Sequence, residues 1–120
     1  MEYKYLDANV VFDLALNRSD VVLDFENNYY FISPLTVHIL TYTNKISMHD
    51  VELISILNNF TLVEFSSKIT NLSLSGPTSD FEDNVQLNSA LEAGCEYFIT
   101  NDKKLLDMKS YGGMLILAKV

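Results

Sequence analysis

The chain predicts an α/β protein, a parallel sheet with helices on its faces. Short aromatic or β-branched runs alternate with longer stretches of helical periodicity, and that alternation is the mark of parallel sheets. The helical stretches also open on capping residues, as at Ser33-Pro34 and Asp80. Side-chain oxygens there can satisfy the free N–H groups of a first turn.

Taken in order, Tyr3 to Leu6 reads as a short strand, and Val10 to Leu16 as a helix after the Asp7-Ala8-Asn9 turn. Asp20 to Glu26 suits a second helix with Ser19 as its N-cap, and Tyr29 to Ile32 a strand. Ser33 caps the next helix, with Pro34 at its first position and Ile32 and Val37 placed as a hydrophobic staple. Ser47 opens another, with Val51, Ile54 and Leu57 or Leu53 on one face. Thr61 to Phe65 reads as strand and Ser67 to Leu74 as a short helix, before the plain loop Ser75-Gly76-Pro77-Thr78-Ser79. Asp80 to Ala93 is a strong helix, ended by Gly94 where the backbone turns left-handed. Tyr97 to Thr100 follows as strand, Leu105 to Lys109 as a short helical piece and Met114 to Leu117 as the last strand.

The 120 residues fit one domain, 1–120, long enough for a real core. Their 48% hydrophobic and 20% charged residues are ordinary for a soluble globular chain. Phe31 to Leu40 is broken by Ser33, Pro34, Thr36 and His38, and the opening Met1-Glu2-Tyr3-Lys4-Tyr5 has no signal-peptide pattern, so no membrane segment is expected. Cys95 is the single cysteine, which excludes a disulfide framework and suits a cytoplasmic setting. A net charge of −8 with eight Lys and Arg leaves no basic stripe for a nucleic-acid backbone. Bound divalent metal would reverse that field locally, and a basic partner protein could do so from outside.

Three acids stand out. Asp7 lies just past the first strand, and Asp102 just past the strand at Tyr97 to Thr100. Asp83 lies in the first turn of the helix that leads into that strand. In open α/β sheets ligands bind beyond the carboxyl ends of the strands, where helices also begin. All three carboxylates therefore belong to one edge. Leu87, Ala90, Leu91 and Gly94 continue an apolar stripe from Asp83, which aims that acid at the sheet. Gathered carboxylates raise one another's pKa and need a cation to offset the repulsion. Mg²⁺ and Mn²⁺ prefer such oxygen donors, so the pattern points to metal-dependent phosphate chemistry. The local alternative is capping: Asp80 with Asp83 as a capping box, Asp7 and Asn9 as turn residues, and Asn101 or Asp102 opening the helix from Lys103.

These motifs resemble the PIN domain, the small nuclease fold of VapC-type toxins and many RNA-processing proteins. Lys4-Tyr5-Leu6-Asp7-Ala8-Asn9-Val10-Val11 resembles the family's opening hhhDxNhhh, where h is apolar. Ile32-Ser33-Pro34-Leu35-Thr36 is similar to its hSxhT helix start. Asp80-Phe81-Glu82-Asp83 through Gly94 resembles the DFEDAhQxxxAhxxG helix, and Tyr97 through Asp102 the hhhThD strand and loop. The matches keep the family's order and spread over nearly the whole chain.

The resemblance implies a Rossmann-like three-layer α/β/α sandwich, an Mg²⁺ or Mn²⁺ site and hydrolysis of RNA. Asp7, Asp83 and Asp102 match three of the family's four metal-binding acids, and Asn9, Ser33, Thr100 and Asp80 match supporting polar residues. In the toxin setting the partner would be an antitoxin protein, and homodimerisation is compatible with the fold. The fourth acid is absent: the position of the family's Glu holds Ile39, after His38. The Arg and final Asp-Phe of the family's TRNxxDF ending are missing too. A PIN-fold protein that has lost catalysis and works by binding a protein is the alternative. His38 reads first as a partly buried helix residue and second as a ligand or base. Lys103, Lys104 and Arg18 read as surface cations within reach of phosphate. A receiver domain is excluded because Asp7 stands alone after its strand and Thr61 to Phe65 ends on no Asp. A haloacid-dehalogenase-like phosphatase fails because Asp7-Ala8-Asn9 lacks the second Asp.

Overall fold

The structure, a computed structural model, describes residues 1–16 and 22–118. Strands β1 (Glu2–Leu6), β2 (Asn28–Ile32), β3 (Thr61–Leu62), β4 (Tyr97–Ile99), β5 (Ser110–Tyr111) and β6 (Met114–Leu117) form one sheet in the order β3-β2-β1-β4-β6-β5. All neighbours run parallel except the edge pair β5 and β6. The helices are α1 (Ala8–Ala15), α2 (Pro34–Thr43), α3 (Val51–Leu57), α4 (Ser67–Ser75), α5 (Phe81–Glu92) and α6 (Lys103–Met108).

Strand alternation builds a core on each face of the sheet. Tyr5 and Phe98 enter one core with Ile69, Val85, Leu87, Ala90 and Leu105 from α4, α5 and α6. Their neighbours Leu6 and Ile99 enter the other with Val10, Val11, Tyr30 and Ile32, against which Ile56 and Leu57 of α3 pack. Successive strand side chains point to opposite faces, so a strand apolar at consecutive positions must be covered on both sides. The α/β/α sandwich is the result. Tyr5 and Phe98 stack at 5.2 Å between ring centroids, fixing β1 beside β4. Cys95 is buried, and burial pushes its thiol up to about 12, so it packs as a small hydrophobe.

Four local expectations change. No helix covers residues 22–26; Asn27 and Glu26 N–H groups donate to Asp24 Oδ1 at 3.2 and 3.1 Å, and Phe25–Asn27 form a turn. An Asp side chain that bonds the backbone just ahead competes with helix in this way. Asp20, Val21 and the cap Ser19 lie outside the described residues, as does Arg18. The helix expected from Ser47 opens at Val51 instead, because Asp50 Oδ1 accepts the Leu53 N–H at 3.0 Å. Strand β3 is two residues long and exposed at the sheet edge. The sheet also gains β5, antiparallel to β6 across Gly112-Gly113, whose φ angles of 57° and 86° suit a tight hairpin. Among the described residues no helix is long and apolar enough to cross a membrane.

From β1 the chain winds outward through β2 to β3, then returns to place β4 on the other side of β1. The carboxyl ends of β1 and β4 therefore flank the point where strand order reverses, the usual crevice of open α/β sheets.

Candidate functional site

Asp7 closes β1 and caps α1. It is 3% exposed, and its Oδ1 accepts the Ala8 N–H at 2.7 Å. Thr100, at the end of β4, donates its hydroxyl to Asp7 Oδ2 at 2.6 Å. Burial raises the Asp7 pKa, opposed by the Thr100 and Ala8 hydrogen bonds and reinforced by the charge of Asp102. Asp102 caps α6: its Oδ1 accepts the Lys104 N–H at 2.8 Å, while its own N–H donates to Thr100 Oγ1 at 3.0 Å. One hydroxyl thus joins two of the acids.

Asp83 differs. The capping box expected with Asp80 does not close at both ends. Asp80 Oδ1 accepts the Asp83 N–H at 2.9 Å, but the Asp80 N–H donates to Thr78 Oγ1 at 3.0 Å instead. Among the described residues the Asp83 carboxylate accepts no hydrogen bond. Burial first, then the charges of Asp80, Asp7, Asp102 and Glu82, push its pKa up to about 6.

Asp7, Asp83 and Asp102 line one cleft of about 210 Å³ together with Asn9, Gln86 and Ile39. Among the described residues no three His, Cys, Asp or Glu side chains stand close enough to hold an ion as a ready-made cluster. The cleft therefore gathers the acids without closing them into a cage. Its donors are oxygens, a set suited to Mg²⁺ or Mn²⁺ rather than to thiolate-preferring metals.

The supporting residues divide. Thr100 is fully buried between two acids, and Asn9 lines the cleft with its Oδ1 3.4 Å from the Asn101 N–H. Asp80 caps α5 at the cleft rim. Ser33 is buried as the N-cap of α2, its Oγ accepting the Leu35 N–H at 3.1 Å. His38 is exposed and stacks on Tyr42 at 5.9 Å, away from the cleft lining, which corrects the expectation of a partly buried side chain. Ile39 is the residue of that pair that faces the acids.

Gln86 was not expected at the site. It is 3% exposed and its Oε1 accepts the Ala8 N–H at 2.8 Å, so it holds the start of α1 beside Asp7. Its position one turn beyond Asp83, on a helix face otherwise packed in the core, is the signal that marks it. Tyr5 lies beneath, fully buried, with burial and the Asp7 charge raising its pKa.

A six-stranded, mostly parallel sandwich with acids at the switch point is a PIN-like fold, and the chain is VapC-like in its architecture. The solved structure of VapBC2 from Rickettsia felis, bound to a DNA fragment from their promoter, matches 98% of this chain and 98% of that one, with a TM-score of 0.71 and 20% identity. PAE2754 from Pyrobaculum aerophilum matches over 97% of this chain and 89% of that one, with a TM-score of 0.63 and 18% identity. No protein-family profile and no curated sequence matches the chain.

Proposed function

We propose that the protein is a divalent-metal-dependent ribonuclease of the PIN type, the toxin of a toxin–antitoxin pair, acting in the cytoplasm. The observation that carries this reading is the cleft that brings Asp7, Asp83 and Asp102 together from three separate elements. The fold shared with a VapC toxin complex supports the antitoxin partner.

Asp7 and Asp102 would hold the ion, each kept in place by Thr100 and by one backbone N–H bond to a carboxylate oxygen. Asp83 has the freest carboxylate and would meet the ion through its waters. Mg²⁺ keeps several waters and is commonly held by one or two carboxylates plus substrate phosphate, so two direct ligands would suffice. When bound, such an ion supplies Lewis-acid polarisation of a phosphodiester and a more acidic water. In the overall reaction water adds to phosphorus, one P–O bond breaks and the leaving oxygen takes a proton. The test is cleavage of single-stranded RNA with Mg²⁺ or Mn²⁺, in wild type and in Asp7→Asn. Loss of cleavage in the variant is expected; unchanged metal-dependent cleavage would reject the assignment.

A second reading, a PIN-fold protein that works by binding alone, is favoured by Ile39 in the cleft wall where the family has an acid. It predicts no rise in unfolding temperature with millimolar Mn²⁺, whereas a competent site must stabilise the folded state by mass action.

A further inference from the structure

A second cleft of about 510 Å³ opens beside the first and shares Asp80, Asp83 and Asp102 with it. Its other lining residues are Pro77, Thr78, Ser79, Lys104, Leu105 and Met108. Those six carry one cation, two hydroxyls, an apolar wall and no acid. Among the described residues Lys104 is the only Lys or Arg in the lining of either cleft.

The walls are held in place before any ligand arrives. Asn84 Oδ1 accepts from the Thr78 N–H at 2.8 Å and the Thr78 hydroxyl at 2.6 Å, and Asn84 Nδ2 donates to the Thr78 and Ser73 carbonyls at 3.0 and 2.9 Å. Asn88 Nδ2 reaches the Gly76 carbonyl at 3.4 Å, so the loop is anchored from α5 at two points. On the opposite side Leu105 is 1% exposed, and the Lys104 N–H is bonded to Asp102. That bond sets the Lys104 backbone beside the acid edge and leaves its side chain exposed at the cleft.

We propose that this second cleft is a nucleotide subsite, holding the residue of a single RNA strand that adjoins the phosphate to be cut. Lys104 meets a phosphate of that residue, and Met108 receives its base or ribose. The inference rests on the ribonuclease reading and deepens it. The volume falls within the range of small-molecule sites. Methionine is a side chain that adapts to different partners, which fits a contact indifferent to base identity. A basic peptide would instead select acids at these six positions. The acids that are present are those shared with the first cleft, where a bound divalent cation would offset them.

The test uses the intact protein labelled with ¹³C in its methionine methyl groups. It is titrated with a single-stranded tetranucleotide carrying phosphorothioate linkages, in Mg²⁺. The Met108 methyl signal is expected to shift while that of Met48, exposed and absent from the lining of both clefts, stays still. Lys104→Ala is expected to weaken binding about fivefold and to lower the slope of log affinity against log salt by about 0.7, as for one phosphate contact on a single strand. A structural role for Lys104 would leave that slope unchanged. An unmoved Met108 signal, or an unchanged slope with the variant folded, overturns the subsite. A shift produced by an arginine-rich peptide and not by the tetranucleotide overturns it as well. The two readings fail separately: cleavage lost in Asp7→Asn with Met108 silent leaves the ribonuclease and removes the subsite. A Met108 shift without metal-dependent cleavage removes the ribonuclease and leaves an RNA-binding cleft.

Discussion

Thr100 donates its hydroxyl to Asp7 Oδ2 at 2.6 Å and accepts the Asp102 N–H at 3.0 Å, so one buried side chain ties together the ends of β1, β4 and α6. Both hydrogen bonds act at the one place where the acids must keep their spacing. Valine has nearly the shape of threonine and lacks only the hydroxyl. Thr100→Val is therefore expected to destabilise the fold by about 1–3 kcal/mol, since it strands a buried carboxylate oxygen. It should also weaken Mn²⁺ binding about tenfold, in the range seen when a ligand loses its outer partner. Urea denaturation and Mn²⁺ titration read the two effects separately.

Asp83 gives the protein a pH dependence of definite sign. Its pKa rises from the ordinary 3.8 to about 6 on folding, so the folded state binds the proton more tightly than the unfolded one. Its contribution to stability without metal is therefore full below about pH 4 and is lost as pH rises through about 6. Asp7 shifts in the same direction and adds to the slope. Asp83→Asn is expected to match wild type near pH 4 and to exceed it above pH 7 by about 1–2 kcal/mol, a figure reduced for solvent screening at a half-exposed site. Thermal unfolding of both proteins at the two pH values checks it. An equal pH slope in both would remove Asp83 from the account.

The alternation of strand and helix was legible because each element declares itself locally. Tyr29 to Ile32 is aromatic and β-branched, Ser33-Pro34 is a helix start, and Asp80 caps the helix its spacing predicts. The gathering of Asp7, Asp83 and Asp102 followed from topology alone, since parallel winding sends strand ends and helix starts to one edge. Gln86 was not legible, because its partner, the Ala8 N–H, lies 78 residues away. Nor was the turn at Asp24, where one side chain's local hydrogen bonds outweigh the helical pattern of the residues around it. The β5–β6 hairpin had its signal in Gly112-Gly113, yet a two-residue strand offers no alternation to read.

Asn84 tests whether the loop before α5 is held from within. Its amide is used at every hydrogen-bonding position by Thr78 and Ser73, and it is 3% exposed. Asn84→Ala leaves the Thr78 N–H and the Ser73 carbonyl without this partner, at a cost of about 2–4 kcal/mol. Hydrogen exchange is expected to accelerate at the Thr78 and Asp80 amides while β1 and β4 stay protected. Uniform loss of protection across the sheet would mean that Asn84 supports the whole fold rather than this loop.

Ile39 tests whether the cleft can take up a cation. It lines the cleft with Asp7, Asp83 and Asp102, yet contributes no charge. Ile39→Glu would bring a further carboxylate onto the same wall from α2. Two opposed consequences follow from that one change. Without metal, the new charge meets the existing ones and gives up apolar contact, so stability should fall by about 1–3 kcal/mol at pH 7 and less at pH 4, where the acids take up protons. With metal, a larger count of charged oxygen ligands tightens binding, and Mn²⁺ affinity should rise about tenfold. The crossing of the two effects distinguishes a site from a crowd of acids. If Mn²⁺ rescues the variant beyond wild type in thermal unfolding, the cleft accepts a cation where Ile39 stands. If the variant is destabilised and Mn²⁺ restores nothing, the cleft does not accept a cation beside Ile39.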